Sequence, residues 1–202
     1  MRGRVAIGEH IVEVQETWKR ILNLGGEFRA DGSEFDHLFK EGERFQIGVL
    51  EANVLYTPGH TKGDVTYLIG DAAFIGDSLF MTDYGSARAD FPGGDARILY
   101  RSIQRLYALP PETRLFLCHD YLTEKRRVHR FETTVAEQKE HNVQINAATR
   151  EEDYVRFRTE RDRGLATPKL LFASVQVNIR AGRFPLPESN GRSYLKVPIK
   201  RG

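Results

Sequence analysis

Val54-Leu55-Tyr56-Thr57-Pro58-Gly59-His60 decides the reading of this chain. An apolar run of strand composition is cut by Pro-Gly and lands on a histidine. Two further apolar runs end the same way, Ala73-Phe74-Ile75-Gly76-Asp77 and Phe116-Leu117-Cys118-His119-Asp120. Three strands therefore each run into a side chain of metal-ligand type. Loops at strand ends are held by a rigid sheet, and functional groups concentrate there. Glycine before His60 and before Asp77 allows a sharp turn and a close approach by whatever binds. Two imidazoles and a carboxylate are the donors of a zinc or non-haem iron site. Taken singly, each has a plainer reading: His60 as a turn residue, Asp77 as a turn or helix cap, His119-Asp120 as a surface pair.

Working outward, Phe45 to Thr57 reads as two short strands around a turn at Gly48. Val65–Ile69 and Ala72–Ile75 read as a hairpin about Gly70-Asp71. Tyr84 to Asp95 is a glycine-rich loop, and Asp95 is a good N-cap for a helix from Ala96 to Leu109, stopped by Pro110-Pro111. Leu115-Phe116-Leu117-Cys118 predicts a buried strand, with Cys118 as a small core residue. Upstream, Val5–Gly8 predicts a strand, and Ile11 to Leu24 a helix ending at Gly25-Gly26. Charged helices are expected near Glu132–His141 and Glu151–Arg163, with solvated faces laced by i,i+4 pairs. Beyond Pro168, proline and glycine punctuation predicts an extended tail, giving one domain over 1–167 with 168–202 packed on it.

The 202 residues are 40% hydrophobic and 29% charged, with a net charge of +2. That composition fits one soluble compact domain and gives no one-sided basic surface for nucleic acid or an anionic membrane. No stretch approaches the roughly 18 apolar residues of a membrane span. Cys118 is the single cysteine, so an internal disulfide is excluded and a reducing, cytoplasmic setting is expected. Met1-Arg2-Gly3-Arg4 leads into only a short apolar run, and no secretory signal is visible. His10, His37, His129 and His141 read as structural or solvent-facing.

The loop after Asp77 holds Arg88-Ala89-Asp90-Phe91. Arg88 reads either as a clamp for an anionic substrate group or as one half of an Arg88–Asp90 loop salt bridge.

Thr57-Pro58-Gly59-His60-Thr61, Ile75-Gly76-Asp77-Ser78-Leu79-Phe80, Arg88-Ala89-Asp90-Phe91 and His119-Asp120-Tyr121 occur in the order seen in the metallo-β-lactamase superfamily. The Arg-x-Asp-Phe loop and His-Asp-Tyr resemble its persulfide dioxygenase branch, with the bacterial β-lactamase-hydrolase-like proteins the nearest in pattern. The resemblance implies an α/β fold, the αβ/βα sandwich, with one Fe(II) at the sheet edge. It implies that His60 and Asp77 are iron ligands and that His119 is a polar residue of the metal pocket. It further implies that Arg88 and Tyr121 hold glutathione persulfide, which is oxidised by O₂ to sulfite and glutathione. Open iron positions suit that chemistry. The alternatives are a zinc hydrolase of glutathione thioesters, as in glyoxalase II, and a metal-free binding module. The implied partner is a small thiol or persulfide, without nucleic acid or membrane, and homo-oligomerisation stays open.

Three departures qualify the match. Ser86 stands where some members have cysteine, and Gln144 aligns near a basic residue that some use for glutathione. The first metal motif of the superfamily, His-x-His-x-Asp-His, has no counterpart among histidines 10, 37, 60, 119, 129 and 141. Met1 is accordingly expected to be an internal start, the sandwich N-terminally incomplete, and apolar sheet surface with an unpaired edge exposed.

Overall fold

The structure, a computed structural model, describes residues 3–199; the start at Met1 lies outside them. In chain order the elements are β1 (Ala6–Gly8), α1 (Ile11–Ile21), β2 (His37–Phe39), β3 (Arg44–Ile47), β4 (Leu50–Tyr56), β5 (Val65–Ile69), β6 (Ala72–Phe74), α2 (Ala96–Tyr107), β7 (Arg114–Phe116), β8 (Glu132–Thr134), α3 (Val135–His141), α4 (Glu151–Arg163) and α5 (Leu171–Asn178). They form two compact units. One holds the residues up to Phe39 and from Leu165; the other runs from Lys40 to Gly164.

The second unit is built on a six-stranded mixed sheet, β3-β4-β5-β6-β7-β8. Only β6 and β7 run parallel, joined by the crossover through α2. The strand register aligns Asn53, Leu68, Ala73, Leu115 and Thr133 in one row. That row lies on the core side: Ala73 and Leu115 are fully buried with Leu99, Ile103 and Leu106 of α2. Those helix positions recur at i, i+4 and i+7, one apolar stripe. Asp95 caps α2 as predicted, its carboxylate accepting from Arg97 and Ile98 amides at 2.7 and 2.9 Å.

The next row, on the opposite face, is Tyr67, Phe74, Phe116 and Glu132. Phe74, Phe116 and Phe131 stack there at 5.0 and 6.4 Å between ring centres. Phe74 and Phe131 are exposed.

Several sequence readings need correction. The helix expected from Glu132 begins only at Val135. Glu132–Thr134 instead pairs with β7, and Thr134 closes a capping box with Glu137 that sets the start of α3. The helix α4 has the expected span, but it is not solvated all round: Tyr154, Arg158 and Asp162 are buried at i, i+4 and i+8. Cys118 is exposed, because β7 ends at Phe116 and the chain has left the sheet before the cysteine.

In the first unit β1 and β2 pair in parallel. Trp18, Leu22, Leu24, Phe28 and Ile179 form its core. The C-terminal segment is not wholly extended: α5 forms there, with Leu171, Phe172 and Val175 packed on that core. Gln15 ties the two parts of this unit together, donating to Ile179 O at 2.9 Å and accepting from Gly32 N at 2.8 Å. Among the described residues no helix is long and apolar enough to cross a membrane.

Candidate metal centre

His60 is placed by a turn that only glycine can make. Gly59 has φ +140°, and a Cβ there would overlap the backbone of Leu99. The turn is closed by Gly59 N donating to Thr61 O at 2.9 Å and by Asp95 N donating to Gly59 O at 2.9 Å. Asp64 pins the next bend: its carboxylate accepts from Thr61 N at 2.6 Å and Thr61 Oγ1 at 2.7 Å. Burial pushes the Asp64 carboxyl above its ordinary range, against the pull of the Thr61 hydrogen bonds and the field of His60. Asp77 follows Gly76, whose φ of +56° turns the chain out of the strand.

The three strand-end residues converge. His60 Nε2 lies 3.8 Å from Asp77 Oδ2, and His119 Nε2 lies 3.4 Å from the same oxygen. His60 is mostly enclosed, its side chain 15% exposed, whereas His119 is open at 56%. The other carboxylate oxygen, Asp77 Oδ1, is buried and has no hydrogen-bond partner. A buried carboxylate oxygen left unpaired is costly unless something outside the chain completes it. His60 Nδ1 meets the backbone carbonyl of Arg88 at 2.7 Å. A carbonyl accepts only, so Nδ1 carries a proton, and in the neutral ring the lone pair is then on Nε2, the nitrogen that faces Asp77. An outward-facing Nε2, a second imidazole and an orphan carboxylate oxygen fit a divalent metal by donor chemistry. The set is partial: among the described residues no group of three or more His, Cys, Asp or Glu side chains is arranged to hold a metal ion.

Arg88 reaches the site by its backbone. Its guanidinium forks onto Asp90 at 2.6 and 2.7 Å, and its Cζ lies 4.8 Å from the ring centre of Phe91. Phe91 in turn meets the His60 ring edge-on at 5.0 Å. The loop salt bridge is therefore present. Tyr121 stacks on Tyr84 at 4.6 Å and meets Phe80 edge-on at 5.2 Å. Its ring lies 6.2 Å from that of His119, so the three tyrosine and phenylalanine rings wall one side of the site.

Cys118 is not an activated thiol. Despite its exposure, partial desolvation raises its thiol pKa, and the Asp77 and Asp64 carboxylates raise it further.

Sequence reading missed the supports. Asp120 is not simply paired with His119; its carboxylate takes Arg126 at 2.6 Å, and Arg126 also holds Asp83 at 3.0 Å. Ser86 and Gln144, the two departures in the loop region, are bonded to each other: Gln144 Oε1 accepts from Ser86 N at 3.1 Å. Arg158 donates to the same Gln144 oxygen and to Ser86 O, both at 3.1 Å. The one signal available in sequence was Tyr154, Arg158 and Asp162 at helical spacing.

The second unit thus carries a mixed sheet, helices packed on its face, and histidine and aspartate brought together at strand ends. The family model for the metallo-beta-lactamase superfamily matches residues 2–119, and the chain belongs to that superfamily. A beta-lactamase hydrolase-like protein of Agrobacterium fabrum is 52% identical over 97% of this chain, which spans 45% of that relative. The human mitochondrial persulfide dioxygenase ETHE1 is 29% identical over 76% of this chain and 57% of its own length. The crystal structure of ETHE1 from Myxococcus xanthus matches with a TM-score of 0.66 and 35% identity, over 74% of this chain and 62% of that one. Within the superfamily the likeness thus runs to the branch that holds ETHE1 and the hydrolase-like proteins.

Proposed function

We propose that this chain binds one Fe(II) and takes part in oxidising glutathione persulfide with O₂ to sulfite and glutathione. The observation that carries the reading is the convergence of His60 and His119 on Asp77, with Asp77 Oδ1 buried and unpaired. His60 Nε2 and the Asp77 carboxylate are the groups that would hold the metal. Bound there, iron supplies the oxygen chemistry that side chains cannot.

The chain's own groups do the rest. The Arg88 carbonyl fixes the His60 tautomer and aims Nε2. Tyr121, Tyr84 and Phe80 form an aromatic wall against which a thiol substrate packs. Arg88 serves the glutathione carboxylates only by sharing or exchanging Asp90, since its fork is engaged in the free protein. His119, exposed beside Asp77, is the residue positioned to exchange a proton with substrate. Similarity to ETHE1 supports this reading, while the hydrolase-like name of the 52% identical relative keeps the thioester hydrolase as the alternative.

The test is anaerobic loading with Fe(II) or Zn(II), followed by metal analysis and oxygen uptake with glutathione persulfide. With two firm donors, iron binds weakly and turnover is slow. Both are lost in His60→Ala and in Asp77→Ala. Hydrolysis of a glutathione thioester by the zinc form, with no oxygen uptake by the iron form, would replace the proposal with a thioester hydrolase. No stoichiometric metal binding by the parent chain would leave a metal-free binding module, and metal binding that neither substitution alters would put the metal elsewhere than at His60 and Asp77.

A further inference from the structure

The first unit holds a cavity of about 460 Å³ lined by Phe28, Arg180, Phe184, Leu186 and Tyr194, among others. A volume of this order accommodates a small organic ligand. Arg180 is set into its wall with only 7% of its surface exposed. Its Cζ lies 4.5 Å from the ring centre of Phe28, itself 2% exposed. One N–H, on Nη1, is donated to Gln176 O at 2.7 Å. A guanidinium has five N–H donors, and among the described residues no carboxylate forms an ion pair with Arg180. Burial holds its pKa below the ordinary value, and the opposing fields of Glu34 and Glu27 do not offset the desolvation. A buried, unpaired cation is unfavourable and calls for an anion.

The neighbouring cations are engaged. Arg183 pairs with Glu34 at 3.0 Å, and Lys196 Nζ donates to Asn23 O at 2.8 Å. Gln176, four residues before Arg180 and 1% exposed, ties Lys196 into the same wall: its Nε2 donates to Lys196 O and its Oε1 accepts from Lys196 N, both at 2.9 Å. The wall is thus built before any ligand arrives, and Arg180 carries its free donors.

We propose that this cavity is a binding site for a small monocarboxylate with an apolar body, its carboxylate paired with Arg180. The sign and number of charges select that class. Glu27, Glu34 and Glu188 also line the cavity, so a phosphate dianion meets three acids while one guanidinium is available. Phe184, Leu186 and the ring of Tyr194 provide the surface for the apolar body. The site lies wholly within the first unit and stands independently of the metal reading.

Calorimetric titration of the metal-free chain with phenylacetate, octanoate, phenylacetamide and inorganic phosphate tests it. Saturable one-to-one binding is expected for phenylacetate or octanoate. Phenylacetamide, which keeps the body and loses the charge, should bind at least tenfold more weakly, as should phosphate. Arg180→Gln should weaken carboxylate binding at least tenfold while leaving the phenylacetamide signal unchanged. The proposal is overturned if neither carboxylate binds saturably at millimolar concentration, if phenylacetamide binds as well as phenylacetate, if phosphate binds more tightly than both, or if folded Arg180→Gln binds like the parent. Should Arg180→Gln not fold, the acid-against-amide comparison on the unaltered chain decides alone.

Discussion

The Nδ1–H of His60 is donated to the backbone carbonyl of Arg88 at 2.7 Å, across 28 residues of sequence. The bond couples the Pro-Gly-His turn to the Arg-x-Asp-Phe loop and makes the loop's backbone, rather than its arginine side chain, the orienting group. Arg88→Ala should therefore leave metal affinity nearly unchanged. The side chain instead stiffens the loop through Asp90, whose carboxyl the guanidinium holds below its usual range. Arg88→Ala and Asp90→Ala should each lower stability by about 1 kcal/mol, a modest figure because Asp90 is partly solvated. Thermal melts of both variants check this. A fall in catalytic efficiency confined to Arg88→Ala would mark substrate contact, whereas equal falls in both would mark the loop alone.

Asp77 gives a prediction of opposite signs. Its Oδ1 is buried without a partner in the metal-free chain. Asp77→Asn removes a partly buried charge, its side chain being 26% exposed, and puts an amide N–H₂ near His60 and His119, whose Nε2 atoms can accept. The metal-free variant should be more stable than the parent by about 1 kcal/mol, and metal affinity should fall at least tenfold. Denaturant melts with chelator, beside metal titration, read both. A variant less stable without metal would show that the carboxylate has a structural partner of its own.

Arg126 sets a pH dependence. Asp120 is held low chiefly by its bonds from Arg126. Burial pushes Asp83 upward, but bonds from Arg126 and Thr123 outweigh it and bring it below its ordinary value. A carboxyl with a lowered native pKa contributes stability that is complete above its unfolded value and disappears as pH falls through the native one. Arg126→Ala should cost about 1.5–3 kcal/mol at neutral pH, and its deficit against the parent should shrink below about pH 4. Melting curves from pH 7 to 3 test the shape. A deficit constant across that range would assign the loss to packing.

Much of this site was legible because strand ends leave local marks. An apolar run, a glycine and a polar residue fixed Gly59-His60 and Gly76-Asp77, and Asp95 before an amphipathic run fixed α2. Partners distant in sequence left no such mark. Arg158 and Asp162 looked like an ordinary surface i,i+4 pair, since the rule for exposed helices and the rule for buried ones write the same spacing. Only the neighbours on the other side, Ser86 and Ala89, tell them apart, and these lie more than 70 residues away. Cys118 misled for a related reason: composition gives the strand but not the residue at which it leaves the sheet.

Arg158 and Asp162 carry the last prediction. Their side chains are 2% and 3% exposed, and Nη2 meets Oδ1 at 2.6 Å. Asp162 Oδ2 accepts from Ala89 N at 2.8 Å, and Arg158 Nη1 donates to Ser86 O at 3.1 Å. The pair thus grips the loop on both sides of Arg88, the residue whose carbonyl orients His60. Breaking a buried pair strands a charge, at a cost of about 3–5 kcal/mol. Asp162→Asn should show most of that loss, because the amide oxygen can still accept from Ala89 but leaves Arg158 without a counter-ion. Arg158→Met should also release Ser86 O and the Gln144 carbonyl. In hydrogen exchange, the Ala89 amide should lose protection in Asp162→Ala, yet retain part of it in Asp162→Asn. Equal protection of Ala89 in the parent and in Asp162→Ala would mean that the loop is held by its other bonds, and the pair would then have no part in placing His60.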